Sequence, residues 1–203
     1  MQVVAIDGPV GSGKSTVAKA VAARLGLAHL ETGAMYRAVA VAVLRRGVEP
    51  TADDPALAEV ARAVRMEVGD RLVVDGEDVT EELRRPEVGQ AVSVVAADAG
   101  VRAEMVRRQR EWVATRGGAV VEGRDIGSVV FPDATLRVFL TASDEERARR
   151  RGGDETAADV ARRDRIDSSR AASPLVVADG AVVIDTTERS VDDIVDEILG
   201  RLA

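Results

Sequence analysis

The sequence predicts a three-layer α/β/α fold around a parallel sheet of about five strands. Three observations lead there. Short apolar runs alternate with helix-like segments, the pattern of a sheet buried on both faces. The first run, Val3-Val4-Ala5-Ile6, passes through a glycine-rich segment at 8–15 into an alanine-rich helix that stops at Gly26. The 203 residues are 46% hydrophobic and 31% charged, and no apolar run approaches the roughly 20 residues of a membrane span, so the apolar runs belong to a core.

The elements follow in order. After the first strand and helix, 28–31 reads as a short strand. A helix then opens at Thr32 and runs to about Arg46, before Gly47. Residues 48 to about 92 change character. Pro55 heads a short helix through Arg62, two short strands follow at 64–68 and 71–74, and Gly69-Asp70 and Asp75-Gly76 are hairpin signals. The segments at 80–83 and 86–88 read as helical turns. This is a small α+β insertion in a single domain. A helix spans about 101–115, and strands are expected at 119–122, 136–140 and 181–185. Two highly charged helices, 144–151 and about 156–166, are separated by glycines and carry a short lid at about 147–160. An amphipathic helix at 190–202 closes the chain.

Composition narrows the classes of function. The net charge of −7 argues against non-specific nucleic-acid binding. Having Tyr36, Trp112, Phe131 and Phe139 as its aromatic residues argues against base-stacking platforms too. The chain has no cysteine, hence no disulfide and no thiolate metal site, which fits a cytoplasmic setting. Neither a leader segment nor a membrane partner is expected. His29 is the sole histidine and reads as partly buried or capping rather than as a base.

The chemistry is concentrated at Gly8-Pro9-Val10-Gly11-Ser12-Gly13-Lys14-Ser15-Thr16, which satisfies G-x-x-x-x-G-K-[ST]. Glycines let consecutive backbone N–H groups turn inward around a phosphate. The following helix N-terminus adds unpaired donors and partial positive charge. Lys14 supplies a point charge for the outer phosphates, and the Ser15 hydroxyl a ligand for Mg²⁺. The lysine is informative, because the chain holds only Lys14 and Lys19. Ligands of such sheets bind at the carboxyl ends of the strands, so the segments at 7–15, 122–127 and 140–147 should share one rim.

Further motifs carry a resemblance. They are Thr32-Gly33-Ala34-Met35-Tyr36-Arg37, Glu122-Gly123-Arg124-Asp125-Ile126-Gly127 with Val129-Val130-Phe131-Pro132-Asp133-Ala134, Arg163-Asp164, Asp167-Ser168-Ser169-Arg170 with Ser173-Pro174-Leu175, and Asp185-Thr186-Thr187. In this order, over nearly the whole chain, they resemble bacterial cytidylate kinase, of the nucleoside-monophosphate kinase group. The resemblance implies direct in-line transfer from ATP, with Mg²⁺, to CMP or dCMP by a monomer. It implies that 8–16 hold the ATP phosphates, with Lys14 stabilising transferred charge and Ser15 on the metal. Arg37, Arg124 and Arg170 match arginines that grip the CMP phosphate, a task suited to a planar fork. Ser93, Arg102 and Asp125 match the cytosine contacts, and Arg163 and Asp167 positions near the sugar. Thr32 joins the substrate contacts, and Lys14, Arg124, Asp125 and Arg170 form the catalytic set. The insertion at 48–92 resembles the monophosphate-site subdomain of the bacterial members. The lid is shorter than in many relatives, which leaves open whether Arg147, Arg150 or Arg151 meets phosphate.

Three other readings compete on the residues alone. One is a catalytically inactive paralogue serving as a partner, against which stand the phosphate loop and arginine set, from which nothing obvious is missing. A shikimate- or adenylate-type kinase shares the loop and the sheet but does not require the insertion or Gly-Arg-Asp-Ile-Gly. A GTPase switch reads guanine through Asn-Lys-x-Asp, and this chain contains no asparagine.

Overall fold

The computed structural model describes residues 1–203 except 53, 70, 153–155, 169–172 and 203, and of Asp159, Arg163 and Ile166 the backbone only. The chain divides into two compact units, one formed by Met1–Glu31 with Trp112–Ala203 and the other by Thr32–Glu111. The second unit contains the 48–92 segment and extends beyond it on both sides.

The first unit is built on a five-stranded parallel sheet. Its strands are β1 (Gln2–Asp7), β2 (Ala28–Glu31), β6 (Gly118–Gly123), β7 (Leu136–Thr141) and β8 (Val182–Asp185), in the order β2-β6-β1-β7-β8. All four pairings are parallel, so the carboxyl ends Asp7, Glu31, Gly123, Thr141 and Asp185 share one rim. That is the common edge expected from the three glycine and charged segments. Val3 to Ile6 are all buried, so β1 lies covered on both faces and its sequence does not alternate. On one face, Val4, Ile6, Val120, Val138, Leu140 and Ile184 meet α1 (Lys14–Leu25) and α8 (Val191–Gly200) through Val17, Val21, Ile194 and Ile198. The fold is three-layer α/β/α.

Helix ends follow local chemistry. Gly26 caps α1 in the left-handed conformation with its N–H on the Ala22 and Ala23 carbonyls. Helix α6 (Asp144–Arg151) starts with Ser143 accepting from the Glu146 N–H. It has acids in its first turn and Arg149, Arg150 and Arg151 in its last, matched to the helix dipole. Ser190 caps α8 in the same way through the Asp193 N–H. Helix α7 (Ala157–Ser168) runs two residues past its expected end.

The second unit is helical, with a small antiparallel sheet of β3 (Met66–Val68), β4 (Leu72–Val74) and β5 (Glu77–Asp78). The tight turn at Asp75 and Gly76, both with positive φ, joins β4 to β5 as the sequence suggests. Asp70, in the other expected hairpin turn, lies outside the described residues. Helix α2 (Thr32–Arg45) packs on α4 (Pro86–Val95), and α3 (Pro55–Ala63) and α5 (Ala99–Ala114) complete the unit. The sequence suggested only a helical turn at 86–88. The helix continues to Val95 because Val88, Ala91 and Val95, at helical spacing, are all buried.

Truncating Ile198, fully buried in α8, to alanine should cost about 2–5 kcal/mol by urea unfolding. The turnover of the folded fraction should be unchanged. A loss below 1 kcal/mol would contradict the packing assigned to α8.

Candidate active site

The glycine segment turns from β1 into α1 under tight steric control. A Cβ on Gly8, whose φ is +152°, would lie 2.1 Å from the Leu140 carbonyl oxygen. One on Gly11, with φ of +76°, would lie 2.7 Å from the Arg147 carbonyl oxygen. The loop therefore lies against the end of β7 and the middle of α6 at distances that only glycine allows. Gly13 is the N-cap of α1 and supplies no side chain to the first-turn N–H groups. A helix start of this kind receives an anion directly.

Lys14 is buried and folds back across the loop, with Nζ 2.6 Å from the Pro9 carbonyl oxygen and 3.5 Å from Ser12 Oγ. Burial, and after it the positive charge of Arg124, holds its pKa well below the usual lysine value, against the pull of Glu122, Asp7 and Asp167. Ser15 Oγ donates to Glu122 Oε2 at 2.8 Å, and Glu122 Oε1 lies 3.0 Å from His29 Nε2.

The next rim segment is tied to the loop by Asp7. Its carboxylate accepts from the N–H groups of Ile126 at 2.8 Å and Gly127 at 2.7 Å. The β1–β6 register sets Asp7 level with Gly123. Gly123-Arg124-Asp125 must therefore cross the rim before a π-helical turn at Ile126–Val130 begins. Burial raises the Asp7 pKa from 3.8 to about 6 despite the two backbone hydrogen bonds. Asp125 is buried, and Arg124 is anchored through Nε to Asp167 of α7 at 2.8 Å.

Helix α6 contributes two arginines with different surroundings. Arg147 is buried, donates to the carbonyls of Ala142 and Val10, and pairs with Asp144 and Asp164. Arg150 is half-buried, and its Nη1 lies 3.6 Å from the Cβ position of Gly13. The same guanidinium donates to Thr186 Oγ1 at 2.8 Å and to the Thr186 carbonyl at 2.6 Å, while Thr186 Oγ1 donates to the Ser12 carbonyl at 3.2 Å.

In the second unit, Arg37 donates to the Leu83 carbonyl at 3.1 Å. Arg102 is buried, donates to the Ala96 carbonyl at 2.9 Å, and lies over the Tyr36 ring with 5.3 Å to the centroid. Ser93 is exposed on α4, and Thr32 is buried at the start of α2.

A family model described as cytidylate kinase matches residues 4–203. The chain belongs to the cytidylate kinase family. The cytidylate kinase of Mycolicibacterium paratuberculosis is 49% identical over 212 residues, covering 97% of this chain and 92% of that one. The cytidylate kinase of Pelotomaculum thermopropionicum is 47% identical over 218 residues, covering 98% and 95%. Among solved structures, a gluconokinase from Sinorhizobium meliloti matches with a TM-score of 0.52 at 17% identity, over 99% of this chain and 91% of that one. Shikimate kinase from Acinetobacter baumannii matches with a TM-score of 0.50 at 14% identity, over 98% and 91%. At these identities the two kinases share the fold.

Within this family member, the structure gathers Gly8 to Thr16, Arg124, Asp125 and Asp167 in the first unit, and carries Thr32, Arg37, Ser93 and Arg102 in the second. Arg170 lies outside the described residues, and Arg163 is placed by its backbone alone, on α7. Sequence reasoning assigned no role to Asp7, Glu122, Thr186 or the Glu122–His29 contact. The signal for the two acids was present, since each ends a buried apolar run at a glycine. A carboxylate there is out of place in a core unless it holds the rim.

Asp7→Asn tests that role. Asparagine accepts one of the two backbone N–H bonds and opposes the other, at a cost of about 1–3 kcal/mol. The sign of the pH effect follows from the raised pKa: the folded state binds the Asp7 proton more tightly than the unfolded chain. Ionisation therefore costs the wild type up to about 3 kcal/mol above pH 6. The stability difference, wild type minus Asp7→Asn, should rise as pH falls from 7 to 4. A flat difference would contradict the burial assigned to this group.

Proposed function

We propose that the protein transfers the γ-phosphoryl group of ATP to CMP and dCMP, yielding ADP and CDP or dCDP. The observation that carries the reading is the loop at Gly8–Thr16, wedged against Leu140 and Arg147 and opening onto the start of α1, in a chain of this family. Donor phosphates take the loop N–H groups. They also offer Lys14 an anion, which favours the charged form that burial disfavours. Of the α6 arginines the proposal assigns Arg150 to them, because its Nη1 lies 3.6 Å from the Cβ position of Gly13, although its guanidinium also pairs with Glu146 and Thr186.

Mg²⁺ fits the residues present. Ser15 Oγ is a hard oxygen donor, held by the hydrogen bond it donates to Glu122 at 2.8 Å. Among the described residues there is no cluster of three His, Cys, Asp or Glu that would form a protein cage. Mg²⁺ is commonly held in this way, by one or two protein oxygens together with substrate phosphates. Bound with the donor, it neutralises charge on the phosphate oxygens.

For the acceptor, the proposal assigns Arg37, Arg124 and Arg170 to the CMP phosphate and Ser93, Arg102 and Asp125 to cytosine, with Thr32, Arg163 and Asp167 among the remaining contacts. An arginine anchored through Nε, as Arg124 is by Asp167, still offers its terminal N–H groups to an anion. The Asp125 carboxylate accepts from the cytosine 4-amino group and repels the carbonyl that uracil has there. The acceptor phosphate oxygen is already anionic, so no general base is required, and catalysis rests on positioning and charge stabilisation. The proposal includes the lid at about 147–160, the monophosphate-site role of the 48–92 segment, and a monomeric cytoplasmic enzyme.

An ADP-release assay with ATP·Mg²⁺ should give strong turnover with CMP and dCMP and little with UMP, AMP or shikimate. Arg124→Ala should lower kcat/KM for CMP about 100-fold or more with an unchanged circular dichroism spectrum. Asp125→Ala should reduce the CMP-over-UMP preference at least about 10-fold. Unaltered values in the two variants would remove these residues from the acceptor site.

A further inference from the structure

His29 is the sole histidine of the chain, and the reading above gives it no task. It lies in the middle of β2, level with Val120 of β6 and two residues short of Glu122. Period-2 alternation therefore puts His29 and Glu122 on the same face of the sheet. The imidazole side chain is 18% exposed and the Glu122 side chain 4%, so their 3.0 Å contact is sheltered from water. The other Glu122 oxygen receives the Ser15 hydroxyl at 2.8 Å. One carboxylate is thus held between a ring nitrogen on β2 and the loop serine at the start of α1.

We propose that His29 is a positioning residue for the metal side of the donor site, acting through Glu122 on Ser15. The inference rests on the ATP·Mg²⁺ reading given above. A hydroxyl has one hydrogen and two lone pairs. While Ser15 donates its hydrogen to Glu122, its lone pairs are directed away from that carboxylate and toward a cation. The direction depends on where the carboxylate plane sits, and the Nε2–H of His29 fixes that plane from the opposite side. Groups that orient metal ligands in this way commonly shift metal affinity by about 10–100-fold when removed. The proposal specifies the tautomer as well, because Glu122 can only accept, so Nε2 carries the proton.

The test is equilibrium binding of ADP by calorimetry, in saturating Mg²⁺ and in EDTA, for the wild type, His29→Leu and His29→Gln, with thermal melting of each. The wild type should bind ADP more tightly in Mg²⁺. His29→Leu should lose about 10-fold or more of that gain while keeping its EDTA affinity. His29→Gln, whose amide N–H reaches toward the same oxygen, should recover most of it. Full retention of the Mg²⁺ gain in His29→Leu, or equal losses in both variants, would overturn the proposal in favour of simple space filling. The wild type supplies a reading independent of any variant. The lone imidazole gives one assignable pair of ¹⁵N signals, which should report the Nε2–H tautomer and shift when Mg²⁺ joins the ADP complex. Signals indifferent to Mg²⁺ would also overturn it. A wild type whose ADP affinity ignores Mg²⁺ would instead overturn the metal reading itself, and the His29 proposal with it.

Discussion

The approach of Gly8 to the Leu140 carbonyl sets the terms for the rest of the first unit. With 2.1 Å between a would-be Cβ and that oxygen, the chain leaving β1 runs directly beneath the end of β7. Gly11 is pressed on the Arg147 carbonyl in the same way. The loop thus has little room to move before any ligand arrives. A preorganised cradle reduces the ordering cost of binding. The register of β1 against β6 and β7 makes this possible, because it fixes how far Asp7 and Leu140 project at the rim.

Around that loop the protein buries an unusual set of charges: Asp7, Lys14, Glu122, Asp125 and Arg147. Each would be costly alone in a core. Asp7 is compensated in part by two backbone N–H donors, Arg147 by two carbonyls and two carboxylates, and Glu122 by a hydroxyl and an imidazole. For Lys14, burial and the charge of Arg124 disfavour the protonated form. A site that penalises a cation in this way gains most when a phosphate enters, since the same low dielectric strengthens the new pair.

Much of this was legible in the sequence. The five strands follow from short apolar runs, the shared rim from the glycine-rich and charged segments that follow three of them, and the family from motifs kept in order. What local pattern did not reveal falls into two kinds. The first is helix extent: α4 continues past Val88 because its apolar residues find partners in the same unit, and a partner is not written in the segment itself. The second is long-range pairing of polar groups. His29 and Glu122 are joined by the β2–β6 register, Asp7 and Ile126 by the β1–β6 register, and Arg150 and Thr186 by β8 lying beside β7. Each pair is separated by tens of residues or more and leaves no periodic trace. Only the oddity of an acid closing an apolar strand hinted at two of them.

The chemistry that emerges is transfer by placement, with no residue of the chain taking the phosphoryl group. The side chains nearest the loop suit that account. Ser15 donates to Glu122, His29 is held by the same carboxylate, and the chain has no cysteine. Among enzymatic phosphoryl transfers, a single in-line displacement inverts configuration at phosphorus, and a phospho-enzyme route of two displacements retains it. The most direct measurement is the stereochemical course with ATP made chiral at its γ-phosphorus and CMP as acceptor. The account predicts inversion in the CDP formed. Retention would contradict it and would require a covalent intermediate on the protein.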